Sequence, residues 1–118
     1  MEEILLVEDD DDIRESLTDL LRARGYAVTA VGNGRDALDR LMKGPAPCMI
    51  ILDLMLPIMD GWEFRAQQMA NPSWAAIPVV VMSGVSDGHL HALNLKAADF
   101  LGKPIDLERL YKTVELHC

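Results

Sequence analysis

Positive charge is scarce in this chain: 11 Lys and Arg stand against 19 Asp and Glu, for a formal net charge of −8. A surface of that sign repels the phosphate backbone, so direct nucleic-acid binding is not expected. Adsorption to anionic membranes is not expected either. Long apolar runs are missing, and no stretch approaches the ~20 residues that cross a bilayer. The opening residues lack the basic-then-apolar pattern of a secretory leader. Cysteine is limited to Cys48, in an apolar run, and Cys118. Their spacing matches neither a disulfide framework nor a zinc site, so reduced thiols and a cytoplasmic location are expected.

What is present is an alternation. A length of 118 residues suits one domain, 1–118, with a core of its own. The apolar run "ILLV" (4–7) is followed by Ile13, Leu17, Leu20 and Leu21 at helical spacing, up to Gly25. "YAVTAV" (26–31) reads as a strand and "GNG" (32–34) as a turn, before a second helical face of Ala37, Leu38, Leu41 and Met42. Gly44, Pro45 and Pro47 break that helix. "CMIILDL" (48–54) and "IPVVVMS" (77–83) are strands apolar on both faces, and Trp62, Phe64, Ala66 and Met69 mark a weaker helix between them. A short helix around 87–95, a strand at "DFLG" (99–102) and a helix from Asp106 complete the series. Five strands alternating with five helices imply an α/β fold, a doubly wound parallel sheet covered on both faces in three layers.

In such sheets a ligand sits beyond the carboxyl ends of the strands, where strand order reverses. The first strand ends in Glu8 and Asp9, the third in Asp53, the fourth in Ser83 and the fifth near Lys103. Carboxylates without Cys or His make a hard-oxygen site, suited to Mg²⁺ or Mn²⁺ rather than zinc. Asp53, on a central strand, is then the natural nucleophile, since carboxylates form acyl phosphates. The metal, Lys103 and the Ser83 hydroxyl would hold the oxygens of a transferring phosphoryl group. A cation among them also explains why acids crowd at "EDDDD" (8–12).

Four stretches, "ILLVEDDDDIR", "MIILDLMLPIMDG", "IPVVVMSG" and "AADFLGKPIDLERL", occur in an order and spacing that resemble the response-regulator receiver domain of two-component signalling. The resemblance runs from Ile4 to the final helix and implies a flavodoxin-like fold. It makes Asp53 the phosphoacceptor, with Asp9 directly on Mg²⁺, Glu8 acting through water and Met55 lending its backbone carbonyl. It makes Ser83 the switch hydroxyl, Phe100 the switch aromatic and Lys103 the phosphate-pairing lysine, joined to Pro104 by a cis bond. Gly84 beside Ser83 is expected to leave backbone room for the switch. The implied partners are a sensor histidine kinase or phosphotransfer protein, a downstream protein on the 87–114 face, and a phosphorylation-dependent dimer. Lys96 stands where the family often has Gly, which would strain a left-handed helix end.

Plainer readings apply to several residues. Asp11 and Asp12 suit a solvated helix start, and Asp10 either a cap or the site. Met42, Met49, Met69 and Met82 read as core filler, Trp62 and Trp74 as edge packing of the third helix, and His89, His91 and His117 as solvated. Two other functions compete with the switch. An aspartyl-phosphate hydrolase needs a second acid two residues past the nucleophile, where Met55 stands. A phosphorylation-independent interaction module would be marked by loss of Glu8, Asp9, Asp53 or Lys103, and all four are present. No external substrate turnover is expected. With no output module within 118 residues, a free-standing regulator and a receiver segment of a longer regulator or hybrid kinase both fit.

Overall fold

A sheet needs apolar side chains on both faces if helices are to cover it twice, and the central strands supply them. The computed structural model describes residues 2–84 and 88–118. Its strands are β1 (Glu3–Val7), β2 (Ala27–Val31), β3 (Met49–Asp53), β4 (Val79–Ser83) and β5 (Asp99–Gly102). Its helices are α1 (Asp11–Ala23), α2 (Gly34–Met42), α3 (Gly61–Ala70), α4 (Gly88–Asn94) and α5 (Leu107–His117). All strands pair in parallel, in the order β2-β1-β3-β4-β5. Every residue of β3 and β4 is buried, as their continuous apolar runs require. Asp87, expected in the fourth helix, lies outside the described residues.

Alternation along the strands divides the core in two. Leu5, Val7, Ile50, Leu52, Val79 and Val81 face α2, α3 and α4, where they meet Leu38, Phe64 and Ala92. Ile4, Leu6, Ile51, Val80, Met82 and Leu101 face α1 and α5, against Leu17, Leu21, Leu110 and Val114. Asp10, Asn33, Asp60 and Asp106 each accept a bond from the backbone N–H three residues on, capping α1, α2, α3 and α5. That settles Asp10 as a cap.

Four expectations change. Met49 and Met82 are fully buried, but Met42 and Met69 are 61% and 44% exposed, because other residues occupy the inward faces of their helices. α3 turns Phe64, Arg65 and Gln68 inward rather than Ala66 and Met69, which explains its weak apolar period. The Arg65 Nη1 donates to Gln68 Oε1 (2.7 Å), and its Nε and Nη2 donate to the carbonyls of Leu95 (3.1 Å) and Lys96 (3.0 Å) at the end of α4. Lys96 has φ 56°, and Arg65 satisfies the carbonyls exposed by that left-handed ending. His117 is not simply solvated: its Nε2 lies 3.2 Å from Asp99 Oδ2. Last, Cys48 and Cys118 are joined as a disulfide with Cα atoms 5.1 Å apart, not held as separate thiols. Spacing along the chain could not reveal this, since the fold brings together residues 70 apart.

Candidate functional site

β1 and β3 are neighbours, and the strand order reverses beside them, so their carboxyl ends open one crevice. Val7 pairs in register with Leu52, which brings Glu8 and Asp53 level just beyond the last apolar pair. Glu8 is fully buried, Asp53 is 4% exposed, and Asp9 points into solvent at the rim. One carboxylate oxygen from each of the three lies within 4.8 Å of the others. From the end of β5, Lys103 reaches across: its Nζ is 2.6 Å from Glu8 Oε1 and 2.9 Å from Asp53 Oδ2. The Lys103 backbone N–H donates to Ser83 O (3.0 Å), tying the ends of β4 and β5 together. The Lys103–Pro104 peptide is cis.

The charges shape one another. Burial pushes the Glu8 carboxyl above its usual range and the neighbouring Asp53 adds to this, against bonds from Lys103 and the Asp10 N–H. Burial would lower the Lys103 ammonium, but Glu8 and Asp53 outweigh it and hold it above the ordinary lysine value. The lysine therefore stays charged and offsets only part of the local negative charge. Three hard-oxygen donors with a surplus of negative charge fit a small divalent cation.

The backbone around these acids is held from several sides. Arg14 Nη1 donates to the carbonyls of Glu8 (3.0 Å) and Asp9 (3.3 Å), fixing the turn between β1 and α1. The Met55 N–H donates to Asp53 Oδ1 (3.2 Å), while the Met55 side chain is exposed. Gly61 lies so close to β3 that a Cβ there would sit 2.6 Å from Asp53 O. Between Met55 and Gly61, the Met59 N–H donates to Pro57 O (2.7 Å) across Ile58, whose φ of 68° is strained for a β-branched residue.

Phe100 is half-buried, and its ring packs edge-on against His89 at 6.0 Å. Gly88, the first residue of α4, fits between ring and hydroxyl-bearing strand. A Cβ on Gly88 would meet Phe100 Cε2 at 2.8 Å and Ser83 Cβ at 3.0 Å. At Gly84, by contrast, a Cβ would make only ordinary contact, 3.5 Å from Lys103 Cβ. Gly88, rather than the expected Gly84, is thus the glycine beside the switch residues, and its signal in the sequence is a glycine at a helix start near Ser83. Arg14, Arg65 and Gly61 carry no comparable signal in the sequence, because their roles lie in contacts with backbone on other elements or turns.

A parallel sheet of this order defines a flavodoxin-like α/β protein, and the acids at the ends of its adjacent strands, with a lysine from the fifth, are donors that could hold a hard cation. Residues 4–115 match the response regulator receiver domain family, and the chain belongs to it. It is 35% identical to the two-component response regulator ORR11 of Oryza sativa subsp. indica over 116 residues, 94% of this chain and 79% of that protein. The chemotaxis response regulator CheY4 of Vibrio cholerae superposes with a TM-score of 0.90 at 27% identity, covering 100% of this chain and 99% of that one. The receiver domain of the sensor histidine kinase PA1611 of Pseudomonas aeruginosa, 25% identical, superposes with a TM-score of 0.89 over 98% of this chain and 96% of its own. That domain has a magnesium ion coordinated in its active-site cleft. The chain spans only part of some relatives: 46% of the response regulator MprA of Mycolicibacterium vanbaalenii, and 15% of the cyclic-nucleotide phosphodiesterase regA of Dictyostelium discoideum. No helix among the described residues is long and apolar enough to cross a membrane.

Proposed function

We propose that residues 1–118 form a single cytoplasmic receiver unit in which Asp53 accepts a phosphoryl group from a histidine kinase, a phosphotransfer protein or a small phosphodonor. The observation that carries this reading is the convergence of Glu8, Asp9 and Asp53 within 4.8 Å, with Lys103 bonded to two of them. An Asp53 oxygen attacks phosphorus, the bond from phosphorus to the donor's imidazole nitrogen breaks, and the imidazole keeps the electron pair. Glu8, Asp9, Asp53 and the Met55 carbonyl are the groups that would hold Mg²⁺, and Mn²⁺ suits the same donors. When bound, the ion supplies positive charge that offsets the charge of the incoming phosphoryl oxygens. Lys103 then pairs with the phosphoryl group, and the Ser83 hydroxyl donates to it. Turnover of outside substrates is not part of this reading, since the position two past Asp53 is Met55 and offers no second acid.

Output follows from packing. Ser83 reaches a phosphoryl oxygen by moving inward, and Gly88 and the Phe100 ring follow the space it leaves. Burying an aromatic ring is worth about 2 kcal/mol, which biases a two-state equilibrium about thirtyfold. The face of α4, β5 and α5, from residue 88 to 114, changes shape and binds a downstream partner or a second copy of the chain.

The test is intact-mass measurement after incubation with acetyl phosphate and Mg²⁺. A phosphate adduct is expected on the unaltered protein and none on Asp53→Ala, with the fold of the variant retained by circular dichroism. An adduct of equal yield on Asp53→Ala would move the acceptor elsewhere, to Asp10 first.

A further inference from the structure

Far from the acidic crevice, Cys48 stands directly before β3 and Cys118 directly after α5. They are 70 residues apart in sequence, yet their Cα atoms are 5.1 Å apart, within the 4.4–6.8 Å range that disulfides occupy. Both are partly exposed, so a small soluble oxidant reaches them. Backbone bonds from Cys48 N–H to Glu3 O (2.8 Å) and from Cys118 N–H to Val114 O (2.9 Å) hold the two residues in facing positions. We infer that Cys48 and Cys118 form a reversible redox modification site that staples the end of α5 to the start of β3. Reversibility follows from the compartment proposed above, where protein disulfides are transient or sensing rather than permanent.

The chemistry is thiol–disulfide exchange with a low-molecular-weight disulfide of the glutathione class. The thiolate of one cysteine attacks the oxidant's sulfur, forming a mixed disulfide and expelling one small thiolate. The thiolate of the other cysteine attacks the protein sulfur of that mixed disulfide and expels the second. The protein is oxidised by an electron pair, the small disulfide is reduced to thiols, and the cysteine protons end on them. Leu110 and Val114 anchor α5 in the core, while its side-chain contacts nearer the surface are noncovalent: Arg109 and His117 on Asp99, and Arg24 over the Tyr111 ring at 3.7 Å. The covalent link therefore changes how firmly α5 is held without touching Glu8, Asp53 or Lys103.

The staple does not depend on the phosphoacceptor reading, and the test separates them. The full chain is equilibrated in glutathione buffers of graded ratio, alkylated with iodoacetamide and weighed intact. Oxidation should remove the mass of a pair of hydrogens in the monomer and block both alkylations. It should also raise the thermal unfolding midpoint by about 10 °C, given the long loop closed. Amide exchange across residues 107–117 should slow. Cys118→Ser and Cys48→Ser should each abolish the shift while still folding. Glutathione adducts alone, disulfide-linked dimers alone, or an unchanged midpoint and unchanged α5 exchange would overturn the staple. Acetyl phosphate labelling in both redox states reports on Asp53 separately.

Discussion

At the carboxyl ends of the strands Glu8 and Asp53 share one lysine, whereas at the opposite end Glu3 and Arg65 each have several partners of their own. Burial raises the Glu8 carboxyl, and Lys103 does not undo it. Burial also acts on Glu3, but there the bonds from Arg40 and Thr29 win and hold the carboxyl below its usual range. The same contrast runs through the backbone. Lys96, at positive φ, ends α4 with Arg65 bonded to its carbonyl; Ile58, at positive φ beside the crevice, is 83% exposed in its turn. One end of the sheet is loaded with charge and strain, and the other is braced. A fold can keep a destabilised site when stability is supplied elsewhere.

Removing Lys103 should break the contrast most severely. Lys103→Ala leaves Glu8 and Asp53 buried without their shared cation, and should cost about 3 kcal/mol in metal-free buffer. Mg²⁺ should restore much of that loss, because a divalent cation answers the same charge. Urea unfolding with and without Mg²⁺ measures both. An equal loss in each would mean the acids need this lysine rather than positive charge.

A smaller effect is expected from the braced end. Arg65→Met strips Gln68 and the Leu95 and Lys96 carbonyls of their donors and should cost about 2 kcal/mol. Mg²⁺ should not change that figure, which the same urea titrations would check. The smallest effect runs in the opposite direction. Ile58→Asn relieves a β-branched residue from left-handed backbone and should gain about 1 kcal/mol. No gain in the unfolding midpoint would show that the turn closed by Pro57 and Met59 carries no strain.

Much of the fold was readable because burial on both faces leaves a local mark. The runs "MIIL" and "VVVM" announce central strands, and Leu17 and Leu21 announce the inward face of α1. The candidate site was readable for a related reason: a strand-end rule converts sequence position into spatial position, which groups Glu8, Asp53, Ser83 and Lys103 at one edge of the sheet. α3 resisted because its inward face is partly polar. Arg65 and Gln68 look like surface residues until the carbonyls they serve are known.

The alternation of strands and helices and the chemistry offered at the strand ends were legible along the chain. These depend on periodicity and strand termini, which are properties of neighbours along the chain. Packing in three dimensions brought Cys48 to Cys118, set Arg65 against the end of α4, and placed Gly88 between Ser83 and Phe100. Each of these is a contact between side chains or backbone on different elements, set by how helices pack across the sheet. No local period encodes such a distance, because it arises only when the faces close on one another.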